Sequence, residues 1–189
     1  MSDIVNTTEY AELTNAVQTI KGAILQSQQR ALAVINQEQL ALYYGIGRFV
    51  SKNTRNKNWG KGFIEAVSEQ LRKELPGLRG FSAASLRKMR TFYEEWQMLS
   101  DNSFVETNKL VDIESNSFVG TNELPTVQFK IDANFPITAF MNIGFTHHYV
   151  IISKVKDVEQ RKFYIQFAAD TKAKVEDLEQ IINDDLYSH

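Results

Sequence analysis

The sequence of 189 residues has no cysteine, three prolines and three histidines. Without cysteine there can be no disulfides, no zinc–thiolate sites and no thiol nucleophiles, so these kinds of chemistry are excluded. A chain free of cysteine also fits a reducing compartment. We therefore expect a cytoplasmic protein.

Long apolar runs are also missing. No run approaches the roughly 20 residues that span a bilayer, and the first ten residues, MSDIVNTTEY, are polar and acidic, unlike a signal peptide. We therefore expect no membrane partner. The hydrophobic content of 43% is enough for one good-sized core.

Charge is unevenly distributed along the chain. The segment from Arg48 to Arg90 holds eleven basic and three acidic residues, a net of +8, and the remainder carries −10, which together give the overall −2. Segregation of this kind is typical of an electrostatic footprint for a polyanion. The alternative is a solvated helical surface with a local bias.

Helical spacing of apolar residues dominates the pattern. It predicts helix over residues 9–52 with a break near Asn36, and a short helix from Phe63 to Leu75 that ends at Pro76-Gly77. Two glycines, Gly45 and Gly47, weaken the first of these and indicate close packing of another backbone. The polar stretch 51–62 is predicted to be a loop.

The stretch GFSAASLRKMRTFYEEW (80–96) predicts a further helix with Ser82 as its N-cap. Its buried side is expected to consist of Leu86, Met89, Phe92, Tyr93 and Trp96. Two short helices joined by a glycine-containing turn predict a helix-turn-helix unit over 62–99.

Residues 100–136 interrupt the helical pattern. They contain a near-repeat, NSFVETNKL at 102–110 and NSFVGTNEL at 116–124, and an alternating stretch, VQFKI at 127–131. Two interpretations of this segment remain open: a small β-hairpin within 100–135 that serves as a wing, and a flexible insertion. Helices then fill 137–187, one of them capped by Asp157. We predict a single mainly α domain over 1–189.

Groups that converge for catalysis are scarce. His147 and His148 are adjacent, so on a helix they point about 100° apart, too divergent to bind one metal ion. Asp170-Thr-Lys172 has nuclease-like spacing but lies at a helix end, and no Walker, Rossmann or nucleophile-elbow motif occurs. We therefore expect no catalytic residues, no metal and no cofactor, and a chain that is not an enzyme.

Nucleic-acid contacts are better supported, because DNA binding needs cations for phosphates and a narrow element for the major groove. The helix after Ser82 fits the second requirement, and the residues on and around it fit the first. The candidate nucleic-acid-binding residues are Lys57, Lys61, Arg79, Ser82, Ser85, Arg87, Lys88 and Arg90. Trp59 is expected to be a packing anchor.

Three blocks carry a family resemblance: LYYGIGRFV (42–50), the stretch from Asn58 to Trp96 with W-G-K and P-G-x-x-G-F-S, and FTHHYVIISKVKDVEQRKFYIQ (145–166). The sequence resembles the N-terminal domain of the YhcG-type family of bacterial proteins. That resemblance implies a helical, DNA-binding domain of winged-helix type that usually precedes a PD-(D/E)xK nuclease domain, whose catalytic motif is absent from this chain.

Two hypotheses follow. The first is a DNA-binding helix-turn-helix module, accessory to a nuclease supplied by another domain or chain. The alternative is a protein-interaction or oligomerisation module without nucleic-acid contact, in which N-terminal residues such as Ile24, Leu25 and Leu32 pair with a second copy or with a nuclease subunit.

Overall fold

The computed structural model describes residues 2–55, 62–100 and 135–188, and every regular element in these ranges is helical. The described α-helices are α1 (Ser2–Arg55), α2 (Phe63–Glu74), α3 (Ala83–Glu95), α4 (Ile137–Asn142), α5 (Phe145–Lys154), α6 (Val158–Thr171) and α7 (Val175–Asn183). Short 3₁₀ turns occupy Gln97–Ser100 and Leu186–Ser188. The mainly α prediction is confirmed. The β-hairpin and the near-repeat fall on residues outside the described ranges, and no strand occurs within those ranges.

Helix α1 is longer than predicted. It continues without a break through Asn36 and beyond Ser51 to Arg55, so the predicted break and the predicted start of the loop are wrong. The polar side chains near its end donate hydrogen bonds to carbonyls of the preceding turn, so they do not end the helix. Asn53 donates to the carbonyl of Phe49 at 2.8 Å and Thr54 donates to the carbonyl of Val50 at 2.8 Å.

The apolar stretch 137–155 forms two helices. Helix α4 ends at Asn142 and α5 begins at Phe145. Between them, Ile143 and Gly144 are extended, with ψ of 148° and 161°. Periodicity gave no sign of this break because Ile143 is itself buried, so the apolar pattern runs straight through it.

The chain divides into two compact units, Met1–Asn36 and Gln37–His189. The second unit contains the main hydrophobic core, to which parts of α1 and α3, together with α4 to α7, contribute. Its largest fully buried side chains include Tyr44, Phe92, Trp96, Phe140, Ile151, Tyr164, Ile165 and Leu178.

A smaller core lies where α2, α3 and the last part of α1 meet. It consists of Val50, Ile64, Leu86 and Met89. Close approach of two helices is visible at Gly47, where an added Cβ would lie 2.1 Å from the carbonyl oxygen of Met89. The expectation that a second backbone packs against this glycine is confirmed.

The buried charge of Arg161 is paired. Arg161 is 3% exposed. Its Nε donates to the carbonyl of Val155 at 2.7 Å, and its guanidinium donates to Glu95 Oε2 at 2.6 Å. The same guanidinium lies 5.6 Å from the centre of the Trp96 ring. These contacts compensate for the desolvation of the charge and tie α6 to the end of α3.

The first unit consists of helix α1 up to Asn36. Its large apolar side chains from Tyr10 to Ile35 are 48–72% exposed. Within the described residues, no helix combines the length and the hydropathy needed to cross a membrane.

Candidate nucleic-acid interface

Helix α3 begins as its sequence predicts. Ser82 is the N-cap, and its Oγ accepts a hydrogen bond from the backbone amide of Ser85 at 3.2 Å. The two hydroxyls also lie 3.0 Å apart, within hydrogen-bonding distance. Before this cap, Gly80 adopts φ of +90°, a conformation that favours glycine. The cap therefore uses both serines to start the helix, and Ser85 is half-buried.

The inner side of α3 contributes side chains to both hydrophobic cores. Leu86 and Met89 belong to the small core, and Phe92 and Trp96 belong to the main core. All four are at most 1% exposed. Tyr93, also predicted to be buried, is partly buried and packs edge-on against Tyr44, with ring centroids 5.1 Å apart. The buried face of α3 is thus close to the predicted one.

The outer side of α3 is defined by Ala84, Arg87 and Lys88, which are exposed. Thr91, half-buried, continues the same side one turn later, and its hydroxyl donates to the carbonyl of Arg87 at 3.1 Å. Spacings of three, four and seven residues place these side chains together. Ala84 and Thr91 were not among the predicted contact residues, although the same helical spacing would have found them.

Arg87 is paired across the helix-turn-helix unit. Its guanidinium donates to Glu65 of α2, and the two side chains remain 47% and 54% exposed. The pKa of Glu65 is lowered, chiefly by hydrogen bonding from its own backbone amide and then by Arg87. An exposed pair of this kind is weak and is screened by salt, so Glu65 does not hold Arg87 tightly.

Lys88 lies over an aromatic ring. Its Nζ is 4.7 Å from the centre of the Tyr149 ring, which belongs to α5. The face of the ring attracts the ammonium group electrostatically. Lys88 and Arg87 therefore present two positive charges from one turn of α3.

Arg90 is placed differently from Arg87. Its side chain is 34% exposed, and its Nε lies 4.0 Å from Glu94 Oε1. The same carboxylate oxygen accepts a hydrogen bond from Ser51 of α1 at 2.7 Å. Sequence spacing put Arg87 and Arg90 on one side of the helix, whereas the structure directs Arg87 towards α2 and Arg90 towards Glu94.

The remaining predicted contacts lie in the connections. Arg79 is exposed in the turn between α2 and α3, whereas Lys57 and Lys61, like Trp59, lie outside the described residues. The turn also exposes two apolar side chains, Leu75 and Leu78.

Further cations surround the unit. Arg72 on α2 is exposed, and Lys73 pairs with Glu69 at 2.9 Å. On α1, the pKa of Lys52 is lowered by partial burial and then by the charge of Arg48. The two side chains therefore lie close enough for their charges to interact. Both belong to the basic segment recognised in the sequence, but neither was singled out there as a contact residue.

The adjacent histidines have separate structural roles. His148 is fully buried, and its Nε2 lies 2.8 Å from the carbonyl oxygen of Phe140, so Nε2 donates. Burial lowers the pKa of His148 to about 3. His147 Nε2 contacts the carbonyl oxygen of Ala173 at 3.0 Å. The two rings therefore point to different partners.

Other catalytic candidates are also accounted for structurally. Asp170 lies near the end of α6 and accepts hydrogen bonds from Gln166 at 2.9 and 3.0 Å. Lys172 ends that helix in the left-handed conformation, with φ of 52°. Within residues 2–55, 62–100 and 135–188, no group of three or more histidine, aspartate or glutamate side chains is arranged to hold a metal ion.

The glycine turn, the capped helix α3 and the histidine pair of α5 all lie in the part of the chain that matches a known family model. Residues 19–189 match the model of the DUF1016 N-terminal domain. The chain belongs to this family. The match confirms the resemblance to the YhcG-type N-terminal domain that the sequence blocks indicated. No curated protein and no solved structure is significantly similar to the chain.

Proposed function

We propose that this DUF1016 N-terminal domain is a cytoplasmic DNA-binding module of helix-turn-helix type, in which α3 enters the major groove. The observation that carries the proposal is the outer face of α3. It presents Arg87 and Lys88 from the third helix of a three-helix cluster, inside the chain's +8 segment. In helix-turn-helix proteins the recognition helix contacts bases with its N-terminal residues, and Ala84 is small enough for close approach.

The connection between α2 and α3 departs from that of the simplest helix-turn-helix. It runs from Leu75 to Ser82, longer than the three or four residues of the simplest helix-turn-helix. Gly77 and Gly80, both with positive φ, turn the chain within it. The connection exposes Arg79, which is suited to a phosphate beside the groove. In a winged-helix version of this module, the wing would come from residues 100–135.

The domain is proposed to act as an accessory to a PD-(D/E)xK-type nuclease supplied by another domain or chain. The support is the family resemblance, together with the absence of that catalytic motif from this sequence. In this arrangement the domain contributes affinity for double-stranded DNA, and cleavage belongs to the partner.

A salt series of fluorescence anisotropy measurements tests the proposal, with a duplex, a single strand and an RNA hairpin as probes. The double variant Arg87→Glu and Lys88→Glu removes two cations from the outer face of α3. Each lost phosphate contact lowers the salt slope by about 1, so the slope should fall by about 2 and duplex affinity by at least roughly tenfold.

The matched control is Lys156→Glu with Lys172→Glu. It changes the net charge equally at exposed positions remote in sequence from the basic segment. We expect the control to bind duplex DNA nearly as well as the wild type. The proposal fails if the wild type does not bind duplex DNA, or if both double variants weaken binding equally. A preference for the RNA hairpin would overturn the assignment to DNA.

A further inference from the structure

One side of α1 carries a regular row of exposed apolar side chains. Tyr10, Leu13, Val17, Ile20 and Ile24 are 51–72% exposed, and their spacings are three, four, three and four. The next position of the row is the polar Ser27, after which the row continues with Ala31 and Val34. Eight successive positions therefore follow the a and d positions of a heptad repeat, and seven of the eight are apolar.

The period of this row indicates which kind of structure can pack against it. Alternating spacings of three and four average 3.5 residues, slightly less than the 3.6 of a straight helix, so the row drifts slowly around the helix in a left-handed sense. Over 25 residues, or about 37 Å at 1.5 Å per residue, a second helix with the same repeat follows such a row by supercoiling. The complement of the row is therefore another heptad helix.

We propose that the second helix is residues 10–34 of another copy of this chain, paired as a parallel, in-register two-stranded coiled coil. Ser27 favours the parallel arrangement. In register, Ser27 meets Ser27 of the other copy, and the two hydroxyls can bond to each other. A fully overlapped antiparallel pair sets each Ser27 against the apolar side chain of Val17, so that the two hydroxyls cannot bond to each other. The β-branched residues Val17 and Ile24 at a positions are also typical of two-stranded parallel coils.

Charge permits the helix to pair with itself. Interhelical contacts in a parallel coil join each g position to the following e position of the other helix. Here Lys21 at e faces Ala16, and Arg30 at g faces Ile35. No like charges meet at these positions, and Ile35 widens the apolar seam.

The exposed surface is of the size that a dimer needs. The row and Ile35 together offer an exposed surface on the order of the roughly 800 Å² per partner that a standard stable interface buries.

The proposal is independent of DNA binding, because residues 10–35 contain none of the proposed DNA contacts.

Sedimentation velocity of the full chain from 1 to 100 µM measures the oligomeric state. We expect the wild type to be a dimer. The double variant Ile20→Lys and Ile24→Lys should weaken dimerisation at least roughly 100-fold, since it places charges in the buried seam. The control, Gln26→Lys with Gln29→Lys, adds the same charge to the same helix away from the seam and should remain a dimer. Circular dichroism and thermal unfolding should show that the region from Gln37 onward still folds in all variants.

The register is tested by a single cysteine, which this cysteine-free chain allows without background. Under mild oxidation, Ser27→Cys should form a disulfide-linked dimer, because equivalent d positions lie side by side in a parallel coil. Gln29→Cys, on the outer side, should remain largely unlinked. If the wild type is monomeric throughout the concentration series, the proposal that a second copy covers the row is wrong. The row would then fit a heptad helix of another protein. A dimer in which Ser27→Cys does not link overturns the parallel register.

Discussion

The two stretches of α1 on either side of Asn36 have similar helical patterns and opposite exposures. Leu40, Tyr44 and Val50 are at most 2% exposed, whereas Leu13 and Ile20 are each 60% exposed. Both stretches are apolar at three- and four-residue spacings, so propensity does not separate them. What separates them is whether other elements of the same chain cover that side of the helix. An apolar row on a helix predicts a contact, but it does not say whether the contact lies within one chain.

The largest expected effect compares two leucines of this helix. Leu40→Ala removes a side chain that is 1% exposed in the main core, and we expect a loss of about 4 kcal/mol in the free energy of unfolding. Leu32→Ala changes a side chain that is 65% exposed and should cost less than about 0.5 kcal/mol. Urea denaturation at low protein concentration measures both. Equal losses would mean that Leu32 is covered within the monomer.

Acid should destabilise the region from Gln37 onward through its buried histidine, His148. Burial lowers the pKa of His148 to about 3, against about 6.5 in the unfolded chain. The unfolded state therefore binds the proton first as the pH falls. The stabilisation is complete above pH 6.5 and is lost progressively towards pH 3, with about 3 kcal/mol gone at pH 4.

The variant His148→Gln isolates this effect. Its side chain can still donate to the carbonyl of Phe140 but takes up no proton. Its free energy of unfolding should be lower at pH 7, yet should fall by about 3 kcal/mol less than that of the wild type between pH 7 and pH 4. Parallel pH profiles of the two proteins would contradict the assignment of this acid sensitivity to His148.

Two glycines of α1 provide a matched pair. Gly47→Ala places a methyl group 2.1 Å from the carbonyl oxygen of Met89, so the helices must move apart. We expect a loss of about 2 to 3 kcal/mol in the free energy of unfolding. At Gly22 nothing lies within 4 Å of an added Cβ. Gly22→Ala should therefore raise helix stability by up to about 1 kcal/mol, seen as increased helicity and a higher melting temperature by circular dichroism. A gain at Gly47 would show that the crossing of α1 and α3 is loose.

The smallest effect concerns the basic surface. Glu65→Gln removes the carboxylate that pairs with Arg87, so a phosphate no longer competes with it. Duplex affinity should rise by about threefold at moderate salt, in line with the small worth of exposed ion pairs. Glu69→Gln, which releases Lys73 on the same helix, is the control for net charge. A weaker complex with Glu65→Gln would show that the ion pair positions Arg87 for DNA.

Sequence reasoning identified the elements that depend on local signals. The caps Ser82 and Asp157, the end of α2 before Pro76 and the tight packing at Gly47 are all confirmed. The errors concern continuity. Asn36 sits inside a helix because good helix formers such as Ala33, Gln37 and Glu38 surround it, and the break at Ile143-Gly144 lies within an apolar run.

The candidate site was only partly predictable, for a physical reason. Spacing on α3 alone separated the buried side from the outer side, so the exposure of Arg87 and Lys88 could be anticipated. Which carboxylate or ring each cation meets depends on how α3 packs against other helices. The contacts with Glu65 and Tyr149, and the turn of Arg90 towards Glu94, therefore appear only in the folded chain.

The enclosed ring of His148 also supplies a natural observation point for the interior. Its Nε2 proton is held by the carbonyl of Phe140, and the rings of Phe92, Phe140 and Trp96 lie within 4.1–6.3 Å of its own. A proton enclosed in this way exchanges slowly with water and is shifted by ring currents. In a nitrogen-15 labelled sample it should give an isolated resonance, and the loss of that resonance would mark the opening of the core before the helices unwind.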